Sequence, residues 1–352
     1  MAAMSWFGWR SAVLRAMAVR ALALPGALLM SLLGASTVAA HGVVTEPPTV
    51  AGLLFGWTFE PAVVIPLVAT ALAWRAAVRR VDAAHPANPV PRARSVAFYG
   101  ALLAAAVALD SGVALYDTTL FSIHMVQHLL LTLVAAPLFV LSAPITLLLR
   151  LASPETRQRR ILPVLHSRVV RALSFPVVAW VLFAGVMWGT HFSPIFDRAL
   201  EDPFIHDLEH VAYLAAGVLF WWPAIGLDPA PWRMSHPVRA LYVLMQMPQN
   251  TFLAVAVLNA EQPLYAHYAT LVRSWGPSPL IDQQTAASEM WLFGDLGFLI
   301  AILGLVFAWM RHEERVTAQA DRRADIELAA IRDREVVLAE RLADRRAGGG
   351  SP

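Results

Sequence analysis

The chain has 352 residues, of which 58% are hydrophobic and only 15% are charged. This balance excludes a single soluble domain and favours a protein that crosses a membrane several times. The net charge of +2 gives no support for nucleic-acid binding. The absence of cysteine excludes disulfides, thiolate zinc sites and iron–sulfur clusters.

The first 40 residues have the pattern of a secretory signal peptide. Arg10, Arg15 and Arg20 precede an apolar stretch, and small residues ending at Ala40 provide a cleavage site. The alternative is an uncleaved first span, because the apolar stretch could be extended to the length that crosses a bilayer. Both interpretations place His41 on the outer side of the membrane.

Seven further apolar segments have the length of a membrane-spanning helix, which is about 20 residues. We therefore predict an all-α polytopic membrane helix bundle, with seven transmembrane helices after removal of the signal peptide. The predicted spans are 57–77, 95–116, 121–149, 170–190, 204–225, 237–259 and 286–310.

Arginines are concentrated at one end of the predicted bundle. They occur in the loop between the first two spans, in the loop between the third and fourth, and beside the start of the sixth. The positive-inside rule places these loops in the cytoplasm, so we expect the mature N-terminus outside and the C-terminus inside a bacterial plasma membrane. The arginines are Arg75, Arg79, Arg80, Arg92, Arg94, Arg157, Arg159, Arg160, Arg168, Arg171, Arg233 and Arg239.

The sequence predicts three parts. The signal peptide, or uncleaved span, at 1–40 precedes a membrane domain at 41–310 and a charged cytoplasmic tail at 311–352. Acids and bases nearly balance in the tail, so a solvated helix with a disordered end is the default interpretation. A coiled coil that docks on a partner is the alternative.

Two histidine pairs at helical spacing are the most informative motif. His124 and His128 lie four residues apart, and so do His206 and His210. Residues at this spacing share one face of a helix, so each pair can present two imidazoles to one ion. Both pairs open a predicted span at its outer end, and His191 closes the fourth span at the same depth. Unpartnered ionisable groups are costly there, so five imidazoles favour a metal site over separate interfacial hydrogen bonds.

The available ligands favour copper. Imidazole binds copper and zinc, whereas a methionine thioether is a soft ligand that suits Cu(I). Met187 lies one helical turn before His191 and is a candidate soft ligand, with packing in the helix interface as the alternative. The predicted metal ligands, for copper or alternatively zinc, are His124, His128, His191, His206, His210 and Met187.

Glu209 gives the second histidine pair another possible meaning. The run from His206 to His210 matches the H-x-x-E-H pattern, in which two histidines bind zinc and the glutamate acts as a base. A membrane-embedded zinc hydrolase is therefore an alternative function. The same carboxylate could equally orient a ligating imidazole.

Two acids within the predicted spans could have either a functional role or a packing role. Asp110 and Asp295 could balance the charge of a metal or line an ion path. Together with a sixth span broken at Pro248, they would suit a copper importer. The alternative for both acids is a hydrogen bond between packed helices. A bis-histidine haem protein is disfavoured, because the histidines lie near one face of the membrane.

Several separated motifs extend over most of residues 50–310. They are His124-Met125-Val126-Gln127-His128 with Ala136-Pro137, Met187-Trp188-Gly189-Thr190-His191, Phe220-Trp221-Trp222-Pro223 and Asp282-Gln283-Gln284. Together they resemble the CtaG family of multi-span membrane proteins that assemble caa-type cytochrome c oxidases. The resemblance implies assembly rather than catalytic turnover, by helping copper reach a haem–copper oxidase. It also implies oxidase subunits and a periplasmic copper donor as partners, with membrane lipid around the helices.

Overall fold

The computed structural model of the chain describes residue 44 and residues 46–348. The predicted signal peptide and His41 lie outside these described residues. Within them the regular secondary structure is helical and contains no strand. The prediction of an all-α protein is therefore confirmed.

Six of the described helices are long and apolar enough to cross a membrane, and a seventh span results if one bent pair of helices is counted together. This confirms the predicted polytopic bundle. The spanning helices are α1 (Pro61–Ala84), α2 (Arg92–Tyr116), α3 (Phe121–Leu151), the bent pair α4 (Pro176–His191) and α5 (Ile195–Glu201), α6 (Pro203–Ile225), α7 (His236–Leu258) and α8 (Pro279–Gly348).

Shorter helical segments lie between and before the spans. They are Val50–Phe55, Pro154–Thr156, Arg157–Ile161, Leu162–Leu165, Arg168–Leu173 and Ala266–Thr270.

Consecutive spans alternate in direction, so the bundle has two ends. We call the end that holds His124, His191 and His206 the histidine end, and the opposite end, which holds Arg94 and Arg150, the arginine end. Helix α3 packs against α2 and α6, and α6 also packs against α4. The two histidine pairs therefore lie on neighbouring helices.

The start of α3 is anchored by α8. Asp282 Oδ2 accepts a hydrogen bond of 2.7 Å from the backbone N–H of Phe121, and Asp282 Oδ1 accepts one of 2.6 Å from the hydroxyl of Ser122. A carboxylate at a helix N-terminus satisfies the first free N–H groups and interacts favourably with the helix dipole. This contact fixes the turn from which His124 projects.

Helix α3 changes its winding after Leu129, one residue beyond His128. Residues Leu130–Ala135 form a π-helical turn, and Pro137, which cannot donate a backbone hydrogen bond, follows it. The carbonyl of Thr132 accepts a hydrogen bond of 2.8 Å from the indole of Trp221 on α6. Turns of this kind are frequent at functional sites.

Helix α7 is interrupted at Met245, between segments His236–Leu244 and Gln246–Leu258. The sequence predicts a kink or break at Pro248. The break lies three residues earlier, because a proline at 248 cannot donate to the carbonyl of Leu244, one turn before it.

The described chain forms two compact units, one up to Ile302 and one from Leu303 onwards. The first unit contains both histidine pairs. In the second unit, residues 303–348 are helical, and most of the described side chains are exposed. Trp309 donates a hydrogen bond of 3.0 Å to Glu313 one turn later.

Candidate metal centre

His124 and His128 are buried on one face of α3 with their ring nitrogens turned towards each other. The distance between the two Nε2 atoms is 3.0 Å, and the ring planes are nearly perpendicular. Tyr213 of α6 stacks on the His128 ring at 3.8 Å between centroids. The hydroxyl of Tyr268 lies 3.3 Å from His124 Nδ1. Packing and hydrogen bonding therefore fix both imidazoles.

Glu209 of α6 completes a group of three with this pair. Its Oε2 atom lies 3.6 Å from His124 Nε2 and 4.0 Å from His128 Nε2. The carboxylate is buried, and neither oxygen accepts a hydrogen bond. A buried carboxylate normally has several hydrogen-bond donors or a cation, because desolvating the charge is costly.

The separations within this group fit the ligands of one ion. Ligands at about 2.0–2.2 Å around a tetrahedral ion lie about 3.3–3.6 Å from each other. The separations of 3.0, 3.6 and 4.0 Å bracket this range. Two imidazoles and one carboxylate are also ligands that copper and zinc accept. The residues present therefore fit a bound metal ion.

Asp117, His206 and His210 form a second group beside the first. One potential ligand atom from each lies within 4.8 Å of the other two. Gln127 connects two members, since its amide nitrogen donates to Asp117 Oδ2 and its carbonyl oxygen lies 2.9 Å from His210 Nε2. Burial raises the pKa of Asp117, which lies between α2 and α3, to about 7. This group too combines two imidazoles with a buried carboxyl group.

His191 lies at the end of α4, beside sulfur. Its Nδ1 atom is 2.7 Å from the carbonyl oxygen of Met187, and its Nε2 atom is 3.4 Å from the sulfur of Met125. A cavity of about 30 Å³ is lined by both methionines, His191, His128 and Met290 among others. The predicted soft ligand Met187 therefore lies near His191, and Met125 places its sulfur directly against that imidazole.

The structure brings the predicted histidines together at one end of the bundle but divides them. His124 and His128 belong with Glu209, His206 and His210 belong with Asp117, and His191 lies beside Met125. In the H-x-x-E-H interpretation, Glu209 acts as a base next to a metal held by His206 and His210. Its carboxylate instead points to the imidazoles of the other helix, which favours a ligand role.

Asp110 and Asp295 each accept two hydrogen bonds from neighbouring residues. Asp110 Oδ1 accepts from the hydroxyl of Thr58 and from the backbone N–H of Glu60. Asp295 accepts from Asn250 and Thr251 of α7. These contacts favour the packing interpretation for both acids. They give no support to the ion path of a copper importer.

Sequence reasoning missed Asp117 and Gln127. Asp117 lies in the short connection between α2 and α3, and Gln127 is a polar residue between the two histidines of α3. The available signal was the position of Asp117 directly before the histidine helix. Nothing in the sequence pattern distinguishes it from an ordinary turn residue, because its partners lie on α3 and α6.

The helices and the buried imidazole–carboxylate groups define a polytopic membrane protein with a candidate metal centre. The chain belongs to the family of cytochrome c oxidase caa3 assembly factors (Caa3_CtaG), which matches residues 68–312. The family resemblance noted in the sequence is therefore confirmed.

Relatives are found in mycobacteria. The chain is 31% identical over 294 residues to an uncharacterised protein of Mycobacterium bovis and to one of Mycobacterium tuberculosis. It is 29% identical over 287 residues to an uncharacterised protein of Mycobacterium leprae. These alignments cover 80–81% of the chain but 43–44% of the relatives, so the chain spans less than half the length of the relatives it matches. No solved structure matches the chain.

Proposed function

We propose that the chain assists cytochrome c oxidase assembly by holding copper at the histidine end of its bundle and releasing it to an oxidase subunit. The family supports the role in assembly. The observation that carries the metal step is the buried Glu209 carboxylate, which faces His124 and His128 and accepts no hydrogen bond.

The distribution of arginine supports an outward-facing site. The loops at the arginine end carry most of the basic residues between the spans, so the positive-inside rule directs that end to the cytoplasm of a bacterial plasma membrane. The histidine end then faces the periplasmic side. There the site could receive copper from a periplasmic donor without moving the ion across the membrane.

Copper is the cargo in this proposal, and the protein supplies ligands, orientation and exclusion of water. His124, His128 and Glu209 would hold the ion, while the stacked Tyr213 and the hydroxyl of Tyr268 fix the two imidazoles. Imidazole and carboxylate suit Cu(II), whereas the sulfur of Met125 next to His191 suits Cu(I). All of these ligands exchange more readily than a closed set of thiolates, which suits release to a partner.

The experiment is metal analysis of the purified protein by mass spectrometry after loading with copper or zinc. The wild-type chain should retain copper, and the double variant His124→Ala/His128→Ala should retain less of it. The matched control is His85→Ala/His166→Ala, which removes two histidines from the arginine end and should retain copper. Circular dichroism checks that all three proteins are folded.

A second assay measures delivery. In a bacterium whose own copy of the gene is deleted, the wild-type chain and the control should restore the copper content of the oxidase, and the His124→Ala/His128→Ala variant should not. Absence of copper from the loaded wild-type protein, or equal copper in the wild-type protein and this variant, would contradict the proposal.

A zinc hydrolase is the second candidate, favoured by one observation. Two histidines and a glutamate are the protein ligands of several catalytic zinc sites, and His124, His128 and Glu209 form such a set. This alternative predicts retention of zinc but not copper, together with peptide or ester hydrolysis that disappears with the metal.

A further inference from the structure

The second group, Asp117 with His206 and His210, has the composition of a metal site in its own right. The three side chains come from α6 and from the connection before α3, and their potential ligand atoms lie within 4.8 Å of one another. None of them belongs to the group formed by His124, His128 and Glu209. The two groups nevertheless adjoin, since the ring centroids of His124 and His206 are 5.4 Å apart.

Asp117 has an unused ligand atom that is deeply buried. The residue is 2% exposed, and its Oδ1 atom accepts no hydrogen bond. Its Oδ2 atom accepts a hydrogen bond of 2.9 Å from Gln127 and lies 3.7 Å from His206 Nε2. A buried carboxylate oxygen without a donor is open to a cation or a water molecule that completes its surroundings.

Gln127 positions two members of this group. Its amide nitrogen donates to Asp117 Oδ2 and to the carbonyl oxygen of Ala108, so its carbonyl oxygen faces His210 Nε2 at 2.9 Å. The Gln127 oxygen can only accept, so His210 donates from Nε2. In that tautomer Nδ1 carries the lone pair that can bind a cation.

His206 makes the second group more exposed than the first. The side chain of His206 is 14% exposed, whereas those of His124 and Glu209 are 0% and 1% exposed. An ion that arrives from outside the protein therefore reaches the Asp117 group before it reaches the Glu209 group. Each group holds one carboxylate, so each can balance part of the charge of one divalent ion.

We propose that the chain binds two copper ions at adjoining sites, which fill in a fixed order. The receiving site is formed by Asp117, His206 and His210. It binds each ion first and passes it to the buried site, which is formed by His124, His128 and Glu209. This inference rests on the proposed function, because both sites carry the same cargo. The transfer is ligand exchange. Bonds to the receiving residues break as bonds to the buried residues form, and the oxidation state of the ion does not change.

The test compares copper stoichiometry in matched carboxylate variants of the full chain, loaded with a Cu²⁺ salt and freed of unbound metal. The wild-type protein should retain two ions, Asp117→Asn one and Glu209→Gln one, and the combined variant none. Asp202→Asn is the control, because Asp202 is an exposed cap of α6 that donates no atom to either group. It should retain two ions.

The order of filling is tested by the time course of copper uptake. In Asp117→Asn, the remaining ion should bind more slowly than either ion binds to the wild-type protein, because it no longer passes through the receiving site. In Glu209→Gln, the remaining ion should bind as fast as the wild-type protein takes up its first ion. His206→Ala provides a second variant of the receiving site if Asp117→Asn does not fold.

One ion in the wild-type protein, bound at the same rate in Asp117→Asn and His206→Ala, would overturn the receiving site and leave the proposed function in place. Loss of all copper from Asp117→Asn would also overturn it, because the two groups would then be one site. Absence of copper from the wild-type protein would instead contradict the proposed function.

Discussion

Asp228 at the arginine end and Glu209 at the histidine end are both buried carboxylates close to α6, but their surroundings are opposite. Asp228 accepts hydrogen bonds from the backbone N–H groups of Ile145 and Thr146 and from the Thr146 hydroxyl, at 2.6–3.0 Å. Glu209 accepts none and faces two imidazoles. Burial is therefore shared by structural and candidate functional acids, and the supply of hydrogen-bond donors separates them.

The largest expected effect comes from Glu209→Gln, which keeps the size of the side chain and removes its charge. The copper affinity of the site formed with His124 and His128 should fall by at least about 10-fold, which is the scale known for changes next to a metal ligand. The free energy of unfolding of the metal-free protein should change little or rise, because no donor depends on this carboxylate. Copper titration and thermal unfolding in detergent measure the two quantities.

The distinction between Glu209 and Asp228 fails if Glu209→Gln destabilises the metal-free protein as much as the same change of charge at Asp228 does. It also fails if copper affinity is unchanged. Asp228→Asn is the matched control, since it makes the same change of charge at the arginine end and should leave copper affinity unaltered.

Asp228→Ala should have the next largest effect, and on stability alone. The substitution leaves the N–H groups of Ile145 and Thr146 without an acceptor, which costs about 1–3 kcal/mol of unfolding free energy. Burial raises the pKa of Asp228, so desolvation opposes its negative charge, whereas its oxygens remain the acceptors of these N–H groups. Asp228→Asn should therefore cost less than Asp228→Ala, and equal losses in thermal unfolding would show that the charge matters more.

The sequence predicted the spans well because their signal is local. A run of apolar residues of membrane length needs no partner to be recognised, and the spacing of His124 and His128 is enough to place both on one face of α3. The third member of each group cannot be identified from the neighbouring sequence, because it depends on how the helices pack. Glu209 lies between His206 and His210 in the sequence, yet it points to the imidazoles of α3.

The role of Asp117 also could not be predicted from the sequence. Its role depends on the packing of α2, α3 and α6, which brings Gln127 and His206 to its two sides. Asp110 and Asp295 were indistinguishable from it in the sequence, because all three are single acids in or beside apolar segments. Only the positions of their hydrogen-bond donors divide them.

Asp282→Asn should have an intermediate effect, because this acid lies at the histidine end but has the contacts of a structural cap. Asparagine keeps one acceptor for the start of α3 and loses the other, so the unfolding free energy should fall by about 1 kcal/mol. Copper affinity should fall less than in Glu209→Gln. A larger loss of copper affinity in Asp282→Asn than in Glu209→Gln would place Asp282 among the metal ligands and remove the distinction between the two classes of acid.

The smallest expected effect is that of Thr251→Val, which removes one of the donors to Asp295 and keeps the shape of the side chain. The substitution should lower the unfolding free energy by about 0.5–1 kcal/mol, because it leaves Asp295 Oδ2 without its hydroxyl donor. Copper binding and copper uptake into vesicles should equal those of the wild-type protein, because the hydrogen bonds of Asp295 join α7 to α8. Thr285→Val is the control, since the Thr285 hydroxyl bonds only within its own helix, at an exposed position. A change in copper uptake with Thr251→Val but not with Thr285→Val would place Asp295 on an ion path, and satisfied hydrogen bonds would then no longer separate structural acids from functional ones.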